Sequence, residues 1–184
     1  MNKVFGEKEL YAPIRKDFNR IIICYGYNDE PDGANGTWYE IYNISKNNLN
    51  FQNVKNAIIA DINAQTDEQI LNGYEWTILH GDKAGQTVKV WLSAENQNNF
   101  KAFHDAVKDY PGIDAFPVTF KIAEDENGDP VYETFMSMSE LSQFYLGSIS
   151  YIKQTISKGW ERKDSIDWSI YETVLEGKED LETV

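Results

Sequence analysis

The chain is poor in the residues that make covalent or metal-centred chemistry easy to place. Of its 184 residues, one is cysteine and two are histidine. A lone Cys24 excludes an intrachain disulfide framework and any multi-cysteine metal site. Basic residues are scarce too: 17 Lys and Arg stand against 30 Asp and Glu, for a formal net charge of -13. A phosphate backbone is repelled on balance, so nucleic acid is not an expected partner. No apolar run approaches the roughly 20 residues of a membrane span, and no membrane partner is expected. The opening residues, Met1 to Glu9, lack the apolar stretch of a secretory signal. These absences lead to the expectation of a soluble, acidic protein made in a reducing compartment.

What is abundant is apolar and aromatic surface. Hydrophobic residues make up 41% of the chain and aromatic residues 14%, enough for a real core in one sizeable domain or two small units. Residues 1–18 mix charge with scattered apolar side chains and show no dominant period, which predicts an irregular N-terminal arm. Arg20 to Asn28 and Thr37 to Ser45 are β-branched and aromatic and flank a turn-rich stretch, so they predict a hairpin. Along the second run, Trp38, Glu40, Tyr42 and Ile44 alternate with Tyr39, Ile41 and Asn43. Both sets carry apolar surface, so both faces of this hairpin are candidates for burial.

From Asn50 the period changes. Phe51, Val54, Ile58 and Ile62 fall on one helical stripe, with Asn50 as N-cap; Thr66-Asp67 would start a further turn, closed by Gly73 in the left-handed conformation. Tyr74 to His80 and Thr87 to Leu92 read as a second hairpin. Ser93 then caps a helix carrying Phe100, Phe103, Val107 and Tyr110, stopped by Pro111-Gly112. Pro117 to Ala123 and Pro130 to Met136 make a third hairpin around Asn127-Gly128. Ser137 and Glu140 fit a capping box for a long helix that Gly159 would end. Strands arrive in pairs, which disfavours a parallel doubly wound sheet. The expected fold class is α+β: antiparallel β-hairpins alternating with helices, the sheet covered by helices on one face. The expected divisions are an arm at 1–18, an aromatic hairpin lobe at 19–49, a main domain at 50–172 and an acidic mobile tail at 173–184. Fifteen asparagines in the first hundred residues against one afterwards add a weak compositional boundary.

Each stretch that could carry chemistry has a plainer reading. Gly81-Asp-Lys-Ala-Gly-Gln-Thr87 has three residues between its glycines, not four, and Gln86 stands where a phosphate loop needs lysine, so it reads as a turn. Asp125, Asn127 and Asp129 have the spacing that opens a calcium loop, but Pro130 replaces the required glycine and Met136 the closing glutamate. His80 and His104 lie on separate elements without zinc spacing. Cys24 sits in a β-branched run with no activating base nearby, and Ser93 and Ser137 read as caps. No two of the many carboxylates are singled out by spacing as a glycosidase pair. The reading is of a non-enzyme with no cofactor and no metal. The aromatics Tyr25, Tyr27, Trp38, Tyr39 and Tyr42 are too many for one face of a two-stranded ribbon. They read as core, as a protein interface or as a sugar-stacking platform. The interface candidates are these five together with Trp160 and Trp168.

One set of motifs carries a resemblance. The run Val54 to Trp76, containing Ile70-Leu-Asn-Gly-Tyr74, leads to Trp91-Leu-Ser-Ala-Glu-Asn-Gln97, then Pro117-Val-Thr-Phe-Lys121, Tyr151-Ile152 and Gly159-Trp160 through Trp168. Over about residues 54–168 this resembles a domain of unknown function carried by tailed bacteriophages and prophages, notably of gut Bacteroides-like hosts, often among tail-fibre and other virion-appendage genes. The first fifty residues lie outside it. The resemblance offers no catalytic motif to transfer. It implies a structural virion protein, synthesised in the host cytoplasm: a small head- or tail-fibre or adaptor subunit. Such a subunit would form a homo-oligomer, most simply a dimer, and dock on capsid, portal or fibre proteins. The alternative expectation is a carbohydrate-binding module for host surface glycans, motivated by the Trp and Tyr cluster. An inhibitor or DNA mimic, motivated by the charge, ranks last because the acidic residues are interleaved with lysine.

Overall fold

The computed structural model describes residues 2–17, 20–110 and 114–177. Among them are eight strands, paired antiparallel throughout, and four α-helices, so the fold is α+β as the hairpin–helix alternation predicts. The strands are β1 (Lys3–Glu7), β2 (Ile14–Asp17), β3 (Arg20–Asp29), β4 (Asn35–Ile44), β5 (Tyr74–Thr77), β6 (Thr87–Val90), β7 (Val118–Glu124) and β8 (Pro130–Phe135). The helices are α1 (Phe51–Asn72), α2 (Ala94–Asp109), α3 (Met138–Asp164) and α4 (Ser169–Glu176). The chain divides into two compact units: residues 1–65 with 158–184, and residues 66–157.

The first unit is built on a four-stranded sheet in the order β1-β4-β3-β2. Here the structure departs from the expected arm: residues 3–7 and 14–17 are edge strands, paired with β4 and β3 respectively. They are short, and β1 places apolar Val4 and Phe5 side by side, so no alternation is legible in its sequence; it is pairing that makes them strands. The aromatic hairpin is accordingly not a separate lobe ending near residue 49. A two-stranded ribbon is marginal alone. This one buries Ile21, Ile23 and Tyr25 under Val54, Ile58 and Ile62 of α1 and under Tyr171 and Leu175 of α4. Leu175 is buried, so the expected mobile tail does not begin at 173; residues 178–184 lie outside the described residues.

The opposite face of the same sheet is covered as well. Ile22, Cys24 and Trp38 pack with Val4, Tyr11, Tyr27 and Tyr42. The connection from β1 to β2 joins opposite edges of the sheet and brings Tyr11 to 4.8 Å from the Tyr27 ring and 6.0 Å from Trp38. Both sets of alternating side chains on β3 and β4 are therefore used, which is why this hairpin reads as apolar on both faces.

The second unit joins two hairpins, β5-β6 and β7-β8, through Trp91 N donating to Ile122 O at 2.8 Å. Their inner side chains Tyr74, Trp76, Val90, Ile122, Val131 and Phe135 pack against Phe100 of α2 and Leu141 and Phe144 of α3. Helices cover one face of these strands and the other is open. The caps follow the sequence reading. Ser93 Oγ accepts from Asn96 N at 3.2 Å, Asn50 Oδ1 from Asn53 N at 2.9 Å and Ser137 Oγ from Glu140 N at 3.3 Å. Glu140 reaches back one residue further than a capping box requires, to Met136 N at 2.7 Å. The stop expected at Pro111-Gly112 lies outside the described residues; α2 ends at Asp109.

Two helix boundaries differ from expectation. Helix α1 runs unbroken through Thr66, and α3 runs through Gly159 to Asp164. Packing and the helical ladder outweigh the local cost of about 1 kcal/mol for a mid-helix glycine. Gly73 follows α1, but close approach, not a left-handed backbone, is what requires it. A Cβ there would lie 2.5 Å from the Gln69 backbone oxygen and would overlap the Tyr151 hydroxyl, which itself donates to Gln69 O at 2.8 Å. Replacing Gly73→Ala must displace Tyr151, and is expected to lower stability by about 1–3 kcal/mol in a urea titration. A change within about 0.5 kcal/mol would show that the tyrosine yields freely.

Candidate functional site

A groove with convergent side chains lies wholly in the first unit, where β3 is interrupted. Its register with β4 shifts between Tyr25 and Asn28, and Gly26 takes φ 67°. This positive φ is the glycine-favoured conformation that a bulge uses. The extra residue moves Tyr27 to the Trp38 side of the sheet while Tyr25 stays on the helix side. Tyrosines thus surround a groove of about 650 Å³. Tyr25, Tyr171 and Ile62 are its buried elements; Tyr11, Tyr27 and Tyr39 are half-exposed; and Asn28, Ser165 and Asp167 are exposed.

Helix α1 holds the buried side of this groove with two polar residues one turn apart. Tyr25 OH donates to Asp61 Oδ2 at 2.6 Å, and Gln65 Nε2 donates to the same oxygen at 2.7 Å and to Tyr25 OH at 2.9 Å. Arg162 of α3 donates from Nη2 to Gln65 Oε1 at 2.8 Å and lays its guanidinium 4.9 Å over the Tyr39 ring. Tyr39 in turn stacks on Tyr25 at 5.3 Å. Tyr171 OH donates to the Cys24 carbonyl at 2.7 Å. The cation, three rings and three helices are locked together by these bonds, so the groove is pre-formed.

The phenols of Tyr11, Tyr25 and Tyr171 are not acid–base groups at neutral pH. Burial raises Tyr25 far above the ordinary tyrosine range, and its hydrogen bond to Asp61 adds to that. Burial also raises Tyr171, with neighbouring Tyr11 contributing, and it raises Tyr11 itself. The adjacent Cys24 thiol is pushed up from 9.0 to about 11, first by burial and then by the Glu40 carboxylate. All these groups are neutral when folded, and their folded pKa values lie above the unfolded ones. Their contribution to stability is complete below the unfolded pKa and is lost as pH rises through the folded one. The Cys24 gap alone corresponds to roughly 3 kcal/mol lost between about pH 9 and 11. Circular dichroism at stepped pH should show the protein stable through about pH 8 and losing stability from about pH 9 upward. A flat profile to about pH 11 would contradict this burial.

Beneath the opposite sheet face, Glu40 is buried and gathers three donors. These are Arg15 Nη2 at 2.5 Å, Trp38 Nε1 at 2.9 Å and the Tyr42 hydroxyl. The carboxylate ties Arg15 of β2 to β4 across the intervening β3 and fixes Trp38. In the second unit, Ser142 Oγ lies 3.3 Å from His104 Nε2, and His104 Nδ1 lies 3.3 Å from Asp105 Oδ1. The residue types are those of a nucleophile, a base and an orienting acid, but the surroundings do not support that chemistry. Asp105 is the next residue on the same helix and is also paired with Lys101. Ser142 sits one turn into α3, where backbone amides serve the helical ladder and cannot form an oxyanion hole. The set fastens α2 to α3, with Tyr145 4.6 Å from the imidazole.

The structure sorts the sequence candidates. Trp38 and Tyr25 are each 1% exposed, so neither presents an interface; they are buried in the first unit because both sheet faces are covered. Tyr27, Tyr39, Tyr42 and Trp168 are half-buried, Trp168 with Lys55 Nζ 5.2 Å from its ring. Trp160 is 62% exposed. In the Gly81–Thr87 connection, Ala84 N and Gly85 N already donate to Gly81 O and Ile78 O, leaving no cradle for phosphate. Asp125 is held by Lys83 Nζ at 2.7 Å and by the amides of Asn127 and Asp129, which together depress its pKa. Among the described residues no three His, Cys, Asp or Glu side chains are grouped to hold a metal ion, and no helix is long and apolar enough to cross a membrane.

Tyr11 and Arg162 in the groove lining, and Asp61 and Gln65 behind it, escape a sequence reading. The one signal in the sequence is Asp61 and Gln65, polar and one turn apart beside the Ile58 and Ile62 stripe. No protein-family model, curated protein or solved structure matches the chain.

Proposed function

We propose that the protein is a non-enzymatic structural subunit of a tailed-phage particle. It would be a small head- or tail-fibre or adaptor component that self-associates, most simply as a dimer, and docks on another virion protein. The observation that carries this reading is the open face of the second unit. Trp91 and Tyr132 are 41% and 54% exposed, and Lys121, the register partner of Tyr132, places its Nζ 5.9 Å from the Trp91 ring. Met136, 52% exposed, continues the outward alternation of β8. Single exposed apolar side chains are ordinary. An exposed Trp and Tyr on either side of Lys121, with Met136 just past β8, are residue types that protein interfaces favour. The family resemblance of residues 54–168 supplies the phage setting, and these residues fall inside that span.

Two measurements test the reading together: light scattering of the purified chain, and mass spectrometry of purified particles. Self-association that Trp91→Lys and Tyr132→Glu abolish, with the chain present in virions, is the expected result. A monomer at high concentration that is missing from particles would overturn it.

A further inference from the structure

A second surface has a different chemistry, and it does not depend on the assembly role. We infer that the tyrosine groove of the first unit is a binding site for a neutral oligosaccharide built of hexopyranose units.

Four observations select this ligand class. First, Tyr11 and Tyr27 line the groove half-exposed, beside Tyr39, whose ring already stacks on Tyr25 and bears the Arg162 guanidinium. The C–H face of a pyranose carries partial positive charge and fits the negative face of such a ring. Second, the polar lining offers both donors and acceptors: the Arg162 guanidinium donates, Asp167 accepts, Asn28 does either, and Ser165, whose hydroxyl donates to Arg162 O at 2.9 Å, accepts. Sugar hydroxyls likewise donate and accept. Third, charge argues against an anion. Arg162 is already engaged with Tyr39 and Gln65, Asp167 lies in the same lining, and the chain carries -13. Phosphates and acidic sugars are repelled on balance. Fourth, the volume of about 650 Å³ lies within the usual range for small-ligand clefts. The Asp61–Gln65–Arg162 network fixes the rings beforehand, so little side-chain ordering is lost on binding.

The test uses the full chain on an array of neutral, sialylated and uronic-acid glycans and a random-peptide library, followed by calorimetric titration with maltotriose and cellotriose. Binding of neutral glycans in preference to acidic ones is expected. Tyr39→Ala is expected to weaken binding about tenfold, because it removes the ring that seats the Arg162 guanidinium in the lining. Asn28→Ala, on the exposed rim, is expected to weaken it about threefold. Trp91→Ala, in the other unit, is expected to leave it unchanged. Should Tyr39→Ala fail to fold, Asn28→Ala decides the comparison. The inference is overturned by an array without neutral-glycan binding, by a preference for acidic glycans or peptides, or by binding indifferent to Asn28→Ala.

Discussion

Replacing Phe144→Ala is expected to remove about 3–5 kcal/mol of stability from the second unit, toward the upper end of that range. Phe144 is completely buried, and its ring lies 5.0 Å from Trp76, 5.1 Å from Phe100 and 5.2 Å from Phe135. Truncation loses the transfer free energy of the ring and leaves a void. The void cannot close cheaply, because two of the lining residues are tied elsewhere. Trp76 Nε1 is held by Glu133, and Tyr74 OH donates to the Phe144 carbonyl at 3.3 Å. Thermal unfolding followed by tryptophan fluorescence should show a midpoint lower by on the order of 10 °C. Leu146→Ala, at a site 60% exposed, should stay within about 0.5 kcal/mol. A loss below about 1.5 kcal/mol for Phe144→Ala would mean that this aromatic cluster is not the centre of the core.

Glu133→Leu is expected to be nearly as damaging, for the opposite reason. Glu133 is fully buried on β8 and accepts from Trp76 Nε1 at 2.6 Å and Leu79 N at 2.9 Å. Leucine fills similar space but leaves both donors without an acceptor, and each orphaned donor costs about 1–3 kcal/mol. The sum is about 2–6 kcal/mol. Glu133→Gln keeps one oxygen in place and should cost clearly less than Glu133→Leu. A cycle with Trp76→Phe isolates the indole bond, with an expected coupling of about 1 kcal/mol or more. If Glu133→Leu were neutral, the carboxylate would be no more than a tolerated charge in this core.

These two residues show how differently the chain's features can be read. Phe144 lies next to the Leu141, Tyr145 stripe of α3, and the helical period by itself places it toward the core. Glu133 alternates correctly on β8, but alternation alone does not reveal that a carboxylate rather than an apolar group faces inward. It is buried because Trp76 and the Leu79 amide, more than fifty residues away, need an acceptor there. The same division runs through the groove. Tyr25, Tyr27 and Tyr39 stand out as an aromatic excess on one hairpin. Arg162, 97 residues from Gln65, joins them only through the packing of α3.

Local interactions therefore determined what sequence alone discloses here. The antiparallel α+β class, the three hairpins, the helical stripes and the caps at Asn50, Ser93 and Ser137 all depend on neighbours within a few residues. Tertiary structure decided the rest: that residues 3–7 and 14–17 are edge strands, that α1 and α3 run past their expected stops, and that Trp38 is interior while Trp160 is not. The physical reason is that strand pairing, side-chain burial and acceptor sharing are settled by partners distant in the chain, whose identity no local period encodes.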